Sequence, residues 1–164
     1  MSNLRFGGAY ALHRDDFAND ILVRCPRCDR QALVQKRDGE RGARLSCPHC
    51  GYNRQTTGRR RFFQVGGLNA GVLPEWSVMR FGGPYDPYFR QELWLNAPVG
   101  PDYLWAYNRA HLDLLEQHVA ARQRDRSRLP NRNSSIGSRL PAWMSAAQNR
   151  KAILKIIERL RATI

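Results

Sequence analysis

The chain's 164 residues carry 27 basic and 14 acidic side chains, a formal net charge of +13. That length allows one or two domains, and no apolar run approaches the roughly 18 residues a membrane helix needs. A soluble, cytoplasmic protein with no membrane partner is expected, since the first thirty residues also lack an apolar export signal.

The charge is uneven: −1 over residues 1–20, +8 over 21–61, −3 over 62–119 and +9 over 120–164. Two basic regions flanking a mildly acidic centre attract polyanions by a term that ignores sequence. Residues 1–20 read as a glycine-rich N-terminal segment, in which Arg5-Phe-Gly-Gly-Ala-Tyr10 nearly recurs as Arg80-Phe-Gly-Gly-Pro-Tyr85. Leu68-Asn-Ala70 and Leu95-Asn-Ala97 also match, but at a different interval, so this is turn chemistry used twice and not a solenoid.

All four cysteines follow, as Cys25-Pro26-Arg27-Cys28 and Cys47-Pro48-His49-Cys50, with eighteen residues between the pairs. This spacing suits one four-thiolate zinc ion, because each C-x2-C turn supplies one edge of a tetrahedron. Disulfides would need an oxidising compartment, and a redox dithiol needs a single C-x-x-C beside a βαβ unit. His49 lies inside the second pair and is expected to face solvent. Strands are expected over Gln31–Lys36 and Ala43–Ser46, joined by a turn containing Asp38-Gly39, with a third from Tyr52 through Thr57.

This stretch resembles a zinc ribbon of the transcription factor IIB type. The resemblance implies a three-stranded antiparallel ribbon over residues 21–61 and leaves its use open, since ribbons serve both nucleic-acid binding and protein docking. Arg54 and the run Arg59, Arg60 and Arg61, beside Phe62 and Phe63, are candidate phosphate-gripping and base-stacking residues.

Residues 62–126 read as a small aromatic-rich sheet followed by a packed helix. Leu93–Leu95 and Tyr103–Trp105 are the expected strands, with a turn over Asn96–Pro101. Asn108 is a helix cap, and Leu112, Leu115 and Val119 mark a buried stripe. His111 and His118 share one helical face near Glu116, which admits a nuclease-like alternative, but packed or partly exposed histidines are the expectation. Residues 127–140 read as an Arg/Ser/Pro-rich linker. The arginines before and within it (Arg122, Arg124, Arg126, Arg128 and Arg132) are candidate phosphate contacts, on an arm that orders against an anionic partner.

Residues 141–164 read as an amphipathic helix with a possible break near Gln148-Asn149. Ile153, Ile156, Ile157, Leu160 and Ile164 form one stripe, and Lys151, Lys155 and Arg159 form a basic row opposite. Beyond the cysteines, Asp86-Pro-Tyr-Phe89, Leu104-Trp-Ala-Tyr-Asn108 and Leu140-Pro-Ala-Trp143 are similar to segments of bacterial zinc-ribbon proteins of uncharacterised function.

The fold class expected is therefore α+β: ribbon, small sheet and C-terminal helices. The function expected is nucleic-acid binding around one structural Zn2+, with Lys151 and Lys155 joining the arginines, and DNA or RNA both open. The alternative is an adaptor docking on a larger protein machine through the ribbon or through apolar positions such as Leu160. No enzyme is expected: no nucleophile–base pair is signalled, and no G-x-x-x-x-G-K-[ST] loop occurs.

Overall fold

The computed structural model describes residues 8–10, 12–36, 42–56, 60–65, 68–74, 83–121 and 135–164; Gly8 and the strands 60–65 and 68–74 are described by their backbone only. The chain is mixed α+β and forms two compact units. One is Asn19–Trp94, the cysteine unit; the other joins Met1–Ala18 to Leu95–Ile164, the helical unit.

In the cysteine unit, β1 (Asp20–Arg24), β2 (Gln31–Gln35), β3 (Arg44–Ser46) and β4 (Asn53–Gln55) form an antiparallel sheet in chain order. The sheet has four strands where the sequence suggests three. The additional strand is β1, whose Ile21 and Val23 alternate inward with half-buried or exposed neighbours. Register makes the core. Ile21 pairs with Val34, Val34 with Leu45, and Val23 with Ala32, so these side chains share one face and are all buried. The expected turn at Asp38-Gly39 lies outside the described residues.

The sheet continues beyond β1 through isolated bridges. Leu93 pairs with Val23, and Tyr85 with Glu92, all antiparallel. Leu93 is thus a buried edge residue and not part of the strand expected over Leu93–Leu95. The loop between Tyr85 and Glu92 is built on Asp86, which is fully buried. Its carboxylate accepts from the backbone N–H groups of Tyr88 (2.9 Å), Phe89 (2.8 Å) and Gln91 (2.6 Å). Burial pushes its pKa up, against the pull of those donors and of the Arg90 charge. A separate hairpin pairs β5 (Arg60–Val65) with β6 (Leu68–Pro74), with a register shift between Phe62 and Gln64.

The helical unit contains the hairpin of β7 (Leu95–Val99) and β8 (Asp102–Ala106). The expected turn region Asn96–Pro101 is therefore mostly strand. The turn itself is Gly100-Pro101, where Gly100 has φ 60°, a position at which glycine is favoured in two-residue hairpins. Helix α1 (Arg109–Ala120) starts where its sequence signal places it: the Asn108 side chain accepts from the His111 N–H at 3.0 Å.

Its Leu112, Leu115 and Val119 are buried, as are His111 and His118. His111 stacks on Phe17 with ring centroids 5.0 Å apart, and its Nδ1 accepts from the Tyr107 N–H at 3.3 Å. Burial, and then the charge of Arg14, hold its pKa down to about 4.

Two short helices, α2 (Ile136–Arg139) and α3 (Ala142–Ser145), lead through a 3-10 turn at Ala147–Asn149 into α4 (Arg150–Arg161). The break suggested near Gln148-Asn149 is this turn. Within the Arg-rich stretch, Ser135 caps α2 by accepting from the Ser138 N–H at 3.3 Å, and the Ile136 N–H donates to the Leu12 carbonyl at 2.9 Å. Gly137 lies against Tyr10, where a Cβ would come within 2.9 Å of the ring.

Helix α4 packs on α1 and β7, burying Ile153, Ile157 and Leu160. Ile156 is half-buried, and Ile164 is exposed. Arg150 donates to the carbonyls of Val119 (3.0 Å) and Ala121 (3.4 Å), while Arg161 reaches Asp113 (2.6 Å) and both carboxylate oxygens of Glu116 (2.7 and 3.0 Å).

Candidate metal centre

The two cysteine turns are built alike. In the first, the Asp29 N–H donates to the Cys25 carbonyl (3.0 Å), and the Cys25 N–H donates to the Arg30 carbonyl (2.8 Å). In the second, the Gly51 N–H donates to the Cys47 carbonyl (3.1 Å), and the Cys47 N–H donates to the Tyr52 carbonyl (2.8 Å). The first turn links β1 to β2, and the second links β3 to β4. Because β2 pairs with β3, the antiparallel ladder brings the two turns to the same end of the sheet.

All four sulfurs lie within 4.8 Å of one another. Two distances cross between the turns: Cys25 Sγ to Cys50 Sγ and Cys28 Sγ to Cys47 Sγ, both 3.6 Å. A disulfide would need about 2.05 Å, and all four cysteines are free. A tetrahedral ion bound at about 2.3 Å from each sulfur separates them by about 3.8 Å. The four thiols therefore fit one metal ion, with Cys25 and Cys47 buried and Cys28 and Cys50 half-buried.

The electrostatics agree with that fit. At Cys28 the Arg30 backbone pulls the pKa down, but burial and the thiols of Cys50, Cys47 and Cys25 push it up to about 12. At Cys47 burial acts upward, yet the backbone N–H groups of Cys50 and His49 and the thiols of Cys28 and Cys25 bring it down to about 7. Cys28 and Cys47 are thus pushed in opposite directions, since like charges at this separation oppose each other's ionisation. A divalent cation at the centre removes that opposition. His49 is exposed within the second turn.

The basic residues fall in separate places. Arg54 is exposed on β4, yet it pairs with Leu45 and so sits at the margin of the core face, its guanidinium 5.8 Å from the Phe89 ring. Arg60 and Arg61 lie on β5 opposite Pro74 and Leu73. Lys151 and Lys155 are exposed on α4, with Arg159 one turn further. Arg59, Arg122, Arg124, Arg126, Arg128 and Arg132 lie outside the described residues.

Arg27, Arg30 and Arg44, not singled out from the sequence, are exposed in the cysteine unit. Their position inside or beside the C-x2-C turns was the available signal. Of the groups in the nuclease alternative, His111 and His118 are core residues, and Glu116 is engaged by Arg161. No helix among the described residues is long and apolar enough to cross a membrane. No protein-family model, curated protein or solved structure matches the chain.

Proposed function

We propose that the chain is a nucleic-acid-binding protein whose cysteine unit is a zinc ribbon, held by one structural zinc on Cys25, Cys28, Cys47 and Cys50. The observation that carries the zinc reading is the pair of equivalent turns closing four sulfurs to within 4.8 Å. Four thiolates suit zinc among biological divalent ions. With every tetrahedral position taken by protein, no place remains for water or substrate, so the ion stabilises the unit and performs no chemistry. The resemblance to transcription factor IIB-type ribbons of bacterial proteins points the same way.

The nucleic-acid reading rests on charge. Each unit presents basic side chains: Arg27, Arg30, Arg44 and Arg54 in one, and Lys151, Lys155 and Arg159 in the other. Phosphate contacts of this kind bind without sequence preference and release counterions. The adaptor alternative loses one of its routes, because Leu160 is buried against the protein's own helical unit.

The test is to titrate labelled single-stranded and duplex DNA and RNA at two salt concentrations. Affinity is expected to fall with salt at a slope of about 0.7 to 0.9 per phosphate contacted. If nothing binds more tightly than about 10⁻⁴ M at physiological salt, the reading fails.

A further inference from the structure

One face of the cysteine-unit sheet makes the core; the other carries two aromatic side chains, each with an arginine laid over it. The register assigns them. Leu93 pairs with Val23 on the core face, so Glu92 and Trp94 point to the opposite face, together with Leu22 and Arg24. Tyr85 pairs with Glu92 and joins them. The Trp94 N–H donates to the Leu22 carbonyl at 2.9 Å, which fixes the edge on which the tryptophan stands. The Arg24 guanidinium lies 5.3 Å from the Trp94 ring, and the Arg90 guanidinium 5.9 Å from the Tyr85 ring.

Tyr85 and Arg90 are exposed, and Trp94 and Arg24 are half-buried. Tyr85 is 47 % exposed, and the Arg24 side chain 38 %. Arg24 is also held in orientation: its Nη1 pairs with Asp29 at 3.4 Å and its Nε with Glu92 at 3.6 Å. The guanidinium thus sits over Trp94 with Asp29 and Glu92 beside it, a mixed aromatic and cationic surface at the sheet edge. An open cleft of about 470 Å³, lined by Arg24, Arg27, Asp29 and Glu92 among others, adjoins this position.

From this arrangement we infer that the second face of the sheet is a stacking platform for single-stranded nucleic acid, one base on the Tyr85–Arg90 pair and another on the Trp94–Arg24 pair. This deepens the proposed nucleic-acid reading and rests on it. Unpaired bases stack on aromatic rings and on guanidinium planes alike, whatever their identity. A duplex keeps its bases stacked inside and offers this surface only phosphates. The carboxylates near Arg24 disfavour a purely phosphate-binding role, which leaves stacking as the contribution of this edge.

The experiment titrates the full chain with fluorescent oligothymidylate, oligouridylate and a duplex of equal length, by anisotropy at two salt concentrations. Tyr85→Ala and Trp94→Ala are each expected to weaken single-strand binding about 5- to 150-fold. The salt slope and duplex affinity should stay as they are, because stacking releases no counterions. Tyr85→Phe and Trp94→Phe should retain most of the affinity. Tyr85, half exposed, carries the test if Trp94→Ala does not fold. If the wild type binds single strands and both alanine variants bind equally well, the inference falls and the nucleic-acid reading stands. If the wild type prefers duplex, the inference also falls. If it binds neither form, the proposed function falls with it.

Discussion

Asp29 and Gly51 hold the same position in the two cysteine turns, and both have a left-handed backbone, with φ of 57° and 70°. Each follows the second cysteine of its pair and donates its N–H back to the carbonyl of the first. Left-handed geometry costs an L-residue roughly 1–2 kcal/mol, which glycine escapes and aspartate tolerates. A Cβ on Gly51 would meet no atom within 4 Å. Gly51→Ala is therefore expected to destabilise the cysteine unit by about 1 kcal/mol through backbone strain alone. Asp29→Gly should gain less than that, because it also removes the exposed pair with Arg24. Chemical denaturation of both variants checks the opposite signs.

Metal analysis of purified protein should return one zinc per chain. Cys25→Ser and Cys47→Ser should each lose it together with the β1–β4 sheet, since binding free energy of such a site is folding free energy. Circular dichroism during titration with a strong chelator measures this; a sheet unchanged in chelator would overturn the zinc reading.

Asp86→Ala should destabilise the protein by at least about 2 kcal/mol. It leaves the N–H groups of Tyr88, Phe89 and Gln91 without their acceptor in a buried loop, and each such loss costs about 1–3 kcal/mol. Urea unfolding gives the number, and a change below 0.5 kcal/mol, the ordinary range for surface sites, would contradict the account.

His111 makes stability depend on pH with a definite sign. Its pKa in the folded protein is about 4, below the ordinary 6.5, so the unfolded chain binds the proton more tightly. The contribution is complete above pH 6.5 and is lost as pH falls from there through 4, about 3 kcal/mol in all. Acid would also release a metal ion held by the four thiols, in wild type and variant alike. The measurement is thus the difference between wild type and His111→Phe in unfolding free energy at pH 7.5, 5.5 and 4. Wild-type stability relative to the variant should fall toward acid; a constant difference would sink the prediction.

The basic residues of α4 should sort into two classes. Arg161 is bound to Asp113 and Glu116 at distances of 2.6 to 3.0 Å, and those carboxylates push its pKa upward. The groups are partly exposed, so Arg161→Met should cost only about 1 kcal/mol of stability and leave the salt slope of nucleic-acid binding unchanged. Lys155→Ala should do the reverse, leaving stability within about 0.5 kcal/mol while lowering the slope by about 0.7 to 0.9. Thermal unfolding and binding titrations on the two variants together decide it.

Features whose physics is local are legible in the order of the residues. Two C-x2-C turns announce four thiols that can meet around one ion, because the reach of a tight turn sets the spacing. Asn108 announces α1 because a cap acts within one helical turn, and the period of Ile153, Ile157 and Leu160 announces α4. Pairing across the sheet was decided by the tertiary structure. Nothing local to Asp20–Arg24 reveals that it becomes an edge for Leu93. Nothing local to Arg54 places it beside Leu45 and Phe89. The same holds for His111, whose stacking partner Phe17 is far away in sequence, and for Tyr85 and Trp94, which share a face only through the bridges to Glu92 and Val23. Strand register is a contact between distant residues, and a shift of one position turns every side chain to the other face. Which residues are core and which are surface is therefore fixed only when the strands meet.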